Sequence, residues 1–187
     1  MSIVCQLENM RKLKNEELNR VDVEEFKRLE KIPLIVVLDN IRSMNNIGSV
    51  FRTSDSFKIE KIILCGITAQ PPQKEIHKTA LGATESVDWC YYEQTESAIA
   101  TLKEEGWEIF AIEQAKNSIM LNDFEWKKSQ KIAVVFGHEV KGVSQQVVDA
   151  CNACIEIPQF GTKHSLNISV CAGVVIWDLF KKWEFSQ

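Results

Sequence analysis

Residues 155–180 read IEIPQFGTKHSLNISVCAGVVIWDLF, a strand end, a polar loop and a long apolar run in succession. Pro158 closes the strand end, because proline cannot continue a hydrogen-bonded ladder. The run Leu166 to Phe180 contains no proline and is too long for one strand, so it predicts a buried helix. Ser165 stands where the loop becomes the helix. It either caps the helix N-terminus, as serine often does, or presents polar groups to a pocket together with Asn167.

Outside this stretch, apolar runs alternate with amphipathic segments. The run at 33–38 is continuously apolar, which is typical of a strand buried on both faces. The predicted strands are 33–38, 61–65, 86–91, 107–112, 131–136 and 155–157. The predicted helices are 47–57, 74–81, 96–105, 144–151 and 166–180, and 117–126 is a connecting loop. This alternation predicts an α/β fold with a mainly parallel sheet flanked by helices.

The chain has 187 residues and a net charge of −4. We expect a domain over 32–187 and a helical extension over 1–31, with one or two amphipathic helices. The basic cluster at 11–14 leaves an RNA-touching arm as the alternative to a solvated face. No signal peptide or membrane-length apolar run is present, so we expect a cytoplasmic protein with no membrane partner. Nucleic-acid binding would need a local basic patch or a partner subunit.

Several familiar sites are missing from the sequence. It has no G-x-G-x-x-G, no G-x-x-x-x-G-K-[ST], no H-E-x-x-H and no G-x-S-x-G. Cys151 and Cys154 form a lone C-x-x-C without a second pair, and His138 and His164 lack a third ligand. We therefore predict no metal site and neither an ordinary dinucleotide-binding domain nor a P-loop enzyme.

Three polar loops follow predicted strands, at 39–52, 137–144 and 159–167. In open α/β sheets, ligands bind outside the carboxyl ends of the strands. Polar groups are costly to bury without a purpose. The candidate site residues in these loops are Asn46, Arg52, Glu139, Ser165 and Asn167.

The same loops carry a family resemblance. Residues 46–57 read NIGSVFRTSDSF, residues 135–144 read VFGHEVKGVS and residues 157–170 read IPQFGTKHSLNISV. Their order and spacing resemble the three motifs of the SpoU/TrmH class of SPOUT RNA methyltransferases, over roughly 33–182. The resemblance implies that 32–187 is a SPOUT domain with a C-terminal deep trefoil knot, that it works as a homodimer, and that it binds S-adenosyl-L-methionine mostly through backbone groups.

The resemblance also implies methyl transfer to a ribose 2′-hydroxyl of RNA. Arg52 would activate that hydroxyl; because a guanidinium stays protonated, it would more comfortably hold the adjacent phosphate. Asn46 would position Arg52 or the RNA backbone, and Glu139 would hold the motif loops and orient Arg52. Ser165 and Asn167 would shape the pocket. Taken singly, Arg52 could instead be a salt-bridging surface residue and Glu139 an acid that complements a helix dipole.

Carried over by motif position, the cofactor contacts are Gly137, Ile157, Ser165 and Leu166, with Ala111 at the end of the 107–112 strand. A local basic patch for RNA could come from Arg42, Lys78, Lys141, Lys163 and His164. The alternative for these five is scattered surface charge.

Two details favour tRNA over rRNA. Residues 110–115 (FAIEQA) and 158–167 (PQFGTKHSLN) look like the eukaryotic-type tRNA guanosine methyltransferases that modify the D-loop. The ribosomal members often carry a small RNA-binding domain before the catalytic one, and here only a short extension precedes it. The alternatives are an rRNA methyltransferase, a catalytically silent SPOUT-fold RNA-binding protein, and a doubly wound nucleotide-binding enzyme. A catalytically silent binder would not need all five candidate site residues. The absence of a glycine-rich fingerprint argues against the doubly wound nucleotide-binding enzyme.

Overall fold

The computed structural model describes residues 11–185, and its centre is a parallel sheet of seven strands. In spatial order the sheet runs β3-β2-β1-β6-β4-β7-β5, and every neighbouring pair is parallel. The strands are β1 (Ile32–Asp39), β2 (Ile59–Cys65), β3 (Trp89–Tyr92), β4 (Glu108–Ile112), β5 (Ile119–Met120), β6 (Ile132–Phe136) and β7 (Ala153–Glu156).

The central strands β1 and β6 are apolar on both faces because helices cover the sheet on both sides. Val36 pairs with Val134 on β6 and with Ile62 on β2. Along β1, Val36 faces one hydrophobic core and its neighbour Val37 faces the other. This alternation follows from the two-residue period of a strand, and it explains why the sequence of β1 shows no polar face.

Helices pack on each face of the sheet. Within the described chain they are α1 (Val23–Arg28), α2 (Met44–Ser56), α3 (Lys74–Ala80), α4 (Ala83–Ser86), α5 (Thr95–Glu104), α6 (Gln145–Ala150) and α7 (Ile168–Phe185). One core receives side chains from α2, α3, α4 and α7, and the other receives them from α5 and α6. The predicted α/β fold with a parallel sheet and flanking helices is confirmed.

Several boundaries and one connection differ from the predictions. Helix α2 begins at Met44 rather than at Ile47, because Ser43 caps it and its Oγ accepts the Asn46 N–H at 3.3 Å. The extended segment expected at 86–91 is β3, and the residues before it form α4. The stretch 117–126 is more than a loop, since it contains β5 and a 3₁₀ turn, Leu121–Asp123. A strand of two exposed residues is too short to show any periodicity.

The N-cap of α7 is Asn167, so of the two roles left open for Ser165 the helix cap is wrong, while Ser165 lines the cleft described below. Asn167 Oδ1 accepts the Ser169 N–H at 2.9 Å, and the helix begins at Ile168. The chain turns into the helix two residues later than its apolar run suggests, and asparagine caps as well as serine does. Among residues 11–185, no helix is long and apolar enough to cross a membrane.

Within the described part of the extension, residues 15–18 form a 3₁₀ turn and α1 is a six-residue helix. Asp22 caps α1 by accepting the Glu25 N–H at 2.8 Å, and Phe26 buries its side chain. Of the one or two helices expected in the extension, residues 11–31 contain one short α-helix and the 3₁₀ turn, and residues 1–10 lie outside the described region. The division into an extension and a domain stays a prediction, and so does the knot, which rests on the family fold.

Candidate functional site

A cleft of about 410 Å³ opens at the carboxyl ends of β4, β6 and β7. This volume falls in the ~300–1,000 Å³ range of small-molecule pockets. Four of the predicted cofactor contacts line it: Gly137, Ile157, Ser165 and Leu166. Ala111 does not, because it is fully buried within β4. The residues that follow Ala111 line the cleft instead.

Glu139 lines the cleft and binds the start of α2. Its Oε2 accepts the Arg42 N–H at 3.0 Å, and its Oε1 accepts the Ser43 N–H at 2.9 Å. Burial alone would raise the pKa of Glu139, but these hydrogen bonds outweigh it and lower the pKa below its ordinary value. The carboxylate also complements the positive end of the α2 dipole. Glu139 therefore joins the polar loop after β6 to the polar loop after β1.

Asn46 and Asn167 extend this connection to the third motif. Asn46 Nδ2 donates to Glu139 Oε1 at 3.4 Å, and Asn167 Nδ2 donates to Asn46 Oδ1 at 3.3 Å. Asn167 Oδ1 in turn accepts from the backbone and hydroxyl of Ser169 at 2.9 and 2.7 Å. The amide of Asn46 is thus used on both sides, and one polar chain joins all three motifs.

The second motif turns tightly inside the cleft. A Cβ added to Gly137 would lie 2.3 Å from the Val143 nitrogen, so glycine is required for this close approach. The Gly142 N–H donates to the His138 carbonyl at 2.8 Å, and His138 Nδ1 accepts the Val140 N–H at 3.0 Å. The turn therefore brings backbone groups to the cleft wall. His138 stabilises the turn by accepting hydrogen bonds from within it.

Glu113 and Gln114 also line the cleft, and neither is among the site residues predicted from the motifs. Glu113 Oε2 accepts the Val143 N–H at 2.9 Å, and Gln114 Nε2 donates to the His164 carbonyl at 2.7 Å. These contacts tie the end of β4 to the second and third motif loops. A signal was available, because both polar residues directly follow an apolar strand at the edge where ligands bind.

Arg52 lies apart from the cleft. It is exposed on another face of α2 and lines a groove of about 750 Å³ between residues 18–29 and the α3–α4 turn. Within residues 11–185, no hydrogen bond or ion pair reaches its guanidinium, and Glu139 makes no contact of this kind with it. The described chain therefore leaves Arg52 available for an external anion.

The five candidate RNA-binding residues divide into two groups. Lys141 and His164 line the cleft, and Lys163 neighbours His164 in an exposed loop. Arg42 is exposed beside Glu139, which holds its backbone. Lys78 lies on α3 and does not line the cleft. The fold thus places Lys141 and His164 at the cleft and Arg42 and Lys163 in adjoining exposed segments, and it leaves Lys78 elsewhere.

The thiols of the C-x-x-C segment are not activated. Burial raises the pKa of Cys151 to about 12, and burial also raises the pKa of Cys154. Cys154 packs in the core beneath α5 and α6. Because the thiolate is the reactive form, these residues act here as small apolar side chains.

The parallel sheet and the polar motifs joined at its strand ends agree with the family that the sequence resembles. The model of the SpoU rRNA Methylase family matches residues 33–177, most of the chain. The chain belongs to this family.

Individual relatives agree. The Vibrio parahaemolyticus protein named 23S rRNA (guanosine-2′-O-)-methyltransferase RlmB is 27% identical over 167 residues, which are 89% of this chain and 66% of that protein. The crystal structure of the A. aeolicus TrmH/SpoU tRNA modifying enzyme matches with a TM-score of 0.76 and 23% identity, over 87% of this chain and 81% of that one. The AdoMet-bound rRNA methyltransferase from Sinorhizobium meliloti has a TM-score of 0.76 and 24% identity, over 86% of this chain and 61% of that one. The chain spans just under two thirds of the length of the curated relatives it matches.

Proposed function

We propose that this chain is an RNA methyltransferase that uses S-adenosyl-L-methionine to methylate a ribose 2′-hydroxyl. The observation that carries the proposal is the polar chain Glu139–Asn46–Asn167, which joins the three family motifs beside one cleft. Glu139 and Asn46 are partly buried, and a fold that needed only to bury its core would gain little from polar side chains at these two positions.

The cleft suits the cofactor. Its volume is that of a small-molecule site, and the turn after β6 offers backbone groups where Gly137 leaves no space for a side chain. Gly137, Ile157, Ser165 and Leu166 would hold the molecule, which supplies an electrophilic methyl group when bound. The AdoMet-bound structure from Sinorhizobium meliloti, with the same fold, supports this assignment.

Arg52 is the residue we assign to the RNA. Its guanidinium is exposed and unengaged within the described chain, so it can bind a phosphate by two hydrogen bonds or act on the 2′-hydroxyl. Arg42, Lys141, Lys163 and His164 at the rim would add positive charge for the RNA backbone. Lys78 would contribute from α3, at a greater distance from the cleft.

A homodimer is part of the proposal. Helix α7 exposes an apolar stripe at one-turn spacing, formed by Val170, Val174 and Trp177. A second copy of this chain packed on the stripe would remove it from water. Because Arg52 does not line the cleft of its own chain, an active site near the dimer interface also gives this residue a route to the reaction.

The proposed substrate is tRNA, and the proposed target is a guanosine of the D-loop. A tRNA substrate is compatible with the predicted cytoplasmic location. Ribosomal RNA is the second candidate, because the Vibrio parahaemolyticus relative is named for 23S rRNA. Incubation with methyl-labelled cofactor and total RNA should label the tRNA fraction, and mass mapping should place the methyl on a ribose. Label found in rRNA alone would overturn the choice of tRNA. Folded protein that binds no cofactor in calorimetry would indicate a silent RNA-binding protein.

A further inference from the structure

Two carboxylates line the cleft, and Glu113 retains more hydrogen-bonding capacity than Glu139. Glu139 accepts from three donors at the start of α2. Glu113 accepts from two backbone N–H groups among the described residues: Val143 on Oε2 at 2.9 Å and Gln114 on Oε1 at 2.9 Å. A carboxylate offers about four acceptor positions, so Glu113 has one left on each oxygen.

The position of Glu113 is fixed by the fold. It directly follows β4, which lies between β6 and β7 in the sheet, so it stands between the second and third motif loops. A Cβ added to Gly142 would lie 2.1 Å from Glu113 Oε2, and Gly142 has a φ of +66°. The turn therefore lies directly against the carboxylate. Two N–H donors and this close packing hold the carboxylate in one orientation in the cleft.

We propose that Glu113 accepts hydrogen bonds from the ribose hydroxyls of the cofactor, an inference that rests on the proposed function. A carboxylate can only accept, and a ribose diol presents two adjacent donors that match one free position on each oxygen. In other α/β folds, an acid beyond a strand end binds ribose in this way. A cationic part of the cofactor is a poorer match, because the Lys141 side chain lines the same cleft.

Calorimetry with S-adenosylhomocysteine and its 2′-deoxy and 3′-deoxy counterparts tests the proposal without turnover. The wild type should bind at least one deoxy ligand about 10-fold more weakly, as expected for a lost hydrogen bond to a charged group. Glu113→Gln should bind the parent ligand about 10-fold more weakly and show a much smaller penalty for the deoxy ligands. A merely structural role would leave the deoxy penalty unchanged.

Controls separate the possible failures. Gln114→Ala keeps the N–H that donates to Glu113 and should retain the full deoxy penalty. A wild type that binds both deoxy ligands as tightly as the parent overturns the ribose assignment, whether or not Glu113→Gln folds. If the deoxy ligands lose as much affinity with Glu113→Gln as with the wild type, the assignment is also overturned. It is likewise overturned if Glu113→Gln weakens the binding of S-adenosylmethionine far more than that of S-adenosylhomocysteine. Folded wild type that binds none of these ligands overturns the proposed function as well.

Discussion

Asn46 and Asn167 lie 121 positions apart in the chain and share a hydrogen bond of 3.3 Å from Nδ2 of Asn167 to Oδ1 of Asn46. This contact places the N-cap of α7 beside the first turn of α2, where Glu139 also binds. The side-chain amide of Asn46 matters because it donates to Glu139 and accepts from Asn167. Neither an acid nor a hydrophobic residue can do both.

The first prediction concerns Asn46→Asp. A carboxylate at this position would face Glu139 Oε1, which now lies 3.4 Å from Asn46 Nδ2, and would replace a donor with a like charge. We expect the free energy of unfolding to fall by about 1–3 kcal/mol and methyl transfer to be lost. Urea unfolding and a labelled-methyl assay measure the two effects.

Asn45→Asp is the matched control for that substitution. Asn45 is the preceding residue, is exposed, and lies in the same first turn of α2. An acid here meets the same helix dipole without facing Glu139. We expect little change in unfolding; an equal loss in both variants would contradict the role assigned to the Asn46 amide.

The second prediction separates the two residues that could cap α7. Asn167→Ala removes the acceptor of the Ser169 N–H and should lower the free energy of unfolding by about 1 kcal/mol. Ser165→Ala should leave it nearly unchanged, because Ser165 lies in the exposed loop before the helix. Thermal and urea unfolding of both variants provide the comparison. Greater destabilisation by Ser165→Ala would return the cap to Ser165.

The contrast between Ser165 and Asn167 shows which structural features can be predicted from the sequence. The apolar run of β1 and the amphipathic pattern of α5 are local, so their structures were predictable from composition and period. The cap of α7 depends on the residue at which the backbone turns, and serine and asparagine are equally good caps. The pattern therefore could not choose between Ser165 and Asn167.

The site was predictable as a set of residues and not as a set of contacts. Motif order identified Asn46, Glu139 and Asn167, yet their hydrogen bonds join positions 93 and 121 residues apart. No local pattern encodes such pairings. Glu113 was missed because residues 110–115 were used only to choose the substrate class, although the position of this acid at the strand end pointed to the site.

The third prediction concerns acid stability. The folded state lowers the pKa of Glu139 below its ordinary value of 4.5, since its hydrogen bonds favour the ionised form and outweigh burial. The stabilisation is therefore fully present above the unfolded-state pKa and is lost as pH falls through the folded-state pKa. Glu139→Gln should cost about 1 kcal/mol near neutral pH, and the difference from wild type should shrink as pH falls below 4.5. Urea unfolding at several pH values measures it, with the exposed Glu104→Gln as a control that should show no such convergence.

The fourth prediction concerns Arg52→Ala. Arg52 does not line the cleft, and its guanidinium makes no hydrogen bond within residues 11–185. The affinity for the cofactor and the free energy of unfolding should therefore remain close to those of the wild type. Methyl transfer to RNA should fall by about 100-fold or more if the guanidinium acts at the reacting hydroxyl or its phosphate. Arg28→Ala removes an exposed charge from the end of α1 and serves as the control. Retained turnover by Arg52→Ala would remove this residue from the reaction.

The fifth prediction concerns Gly137→Ala. The added methyl group would lie 2.3 Å from the carbonyl carbon of Gly142 and from the nitrogen of Val143, and both are backbone atoms that cannot move aside cheaply. The turn must therefore shift, which should lower the free energy of unfolding by about 1–3 kcal/mol. Cofactor binding should weaken because the displaced turn lines the cleft. In Gly161→Ala, by contrast, the new methyl group meets nothing within 4 Å, so stability should be almost unchanged. Calorimetry and urea unfolding of the pair test the argument, which fails if Gly137→Ala binds S-adenosylhomocysteine as tightly as wild type.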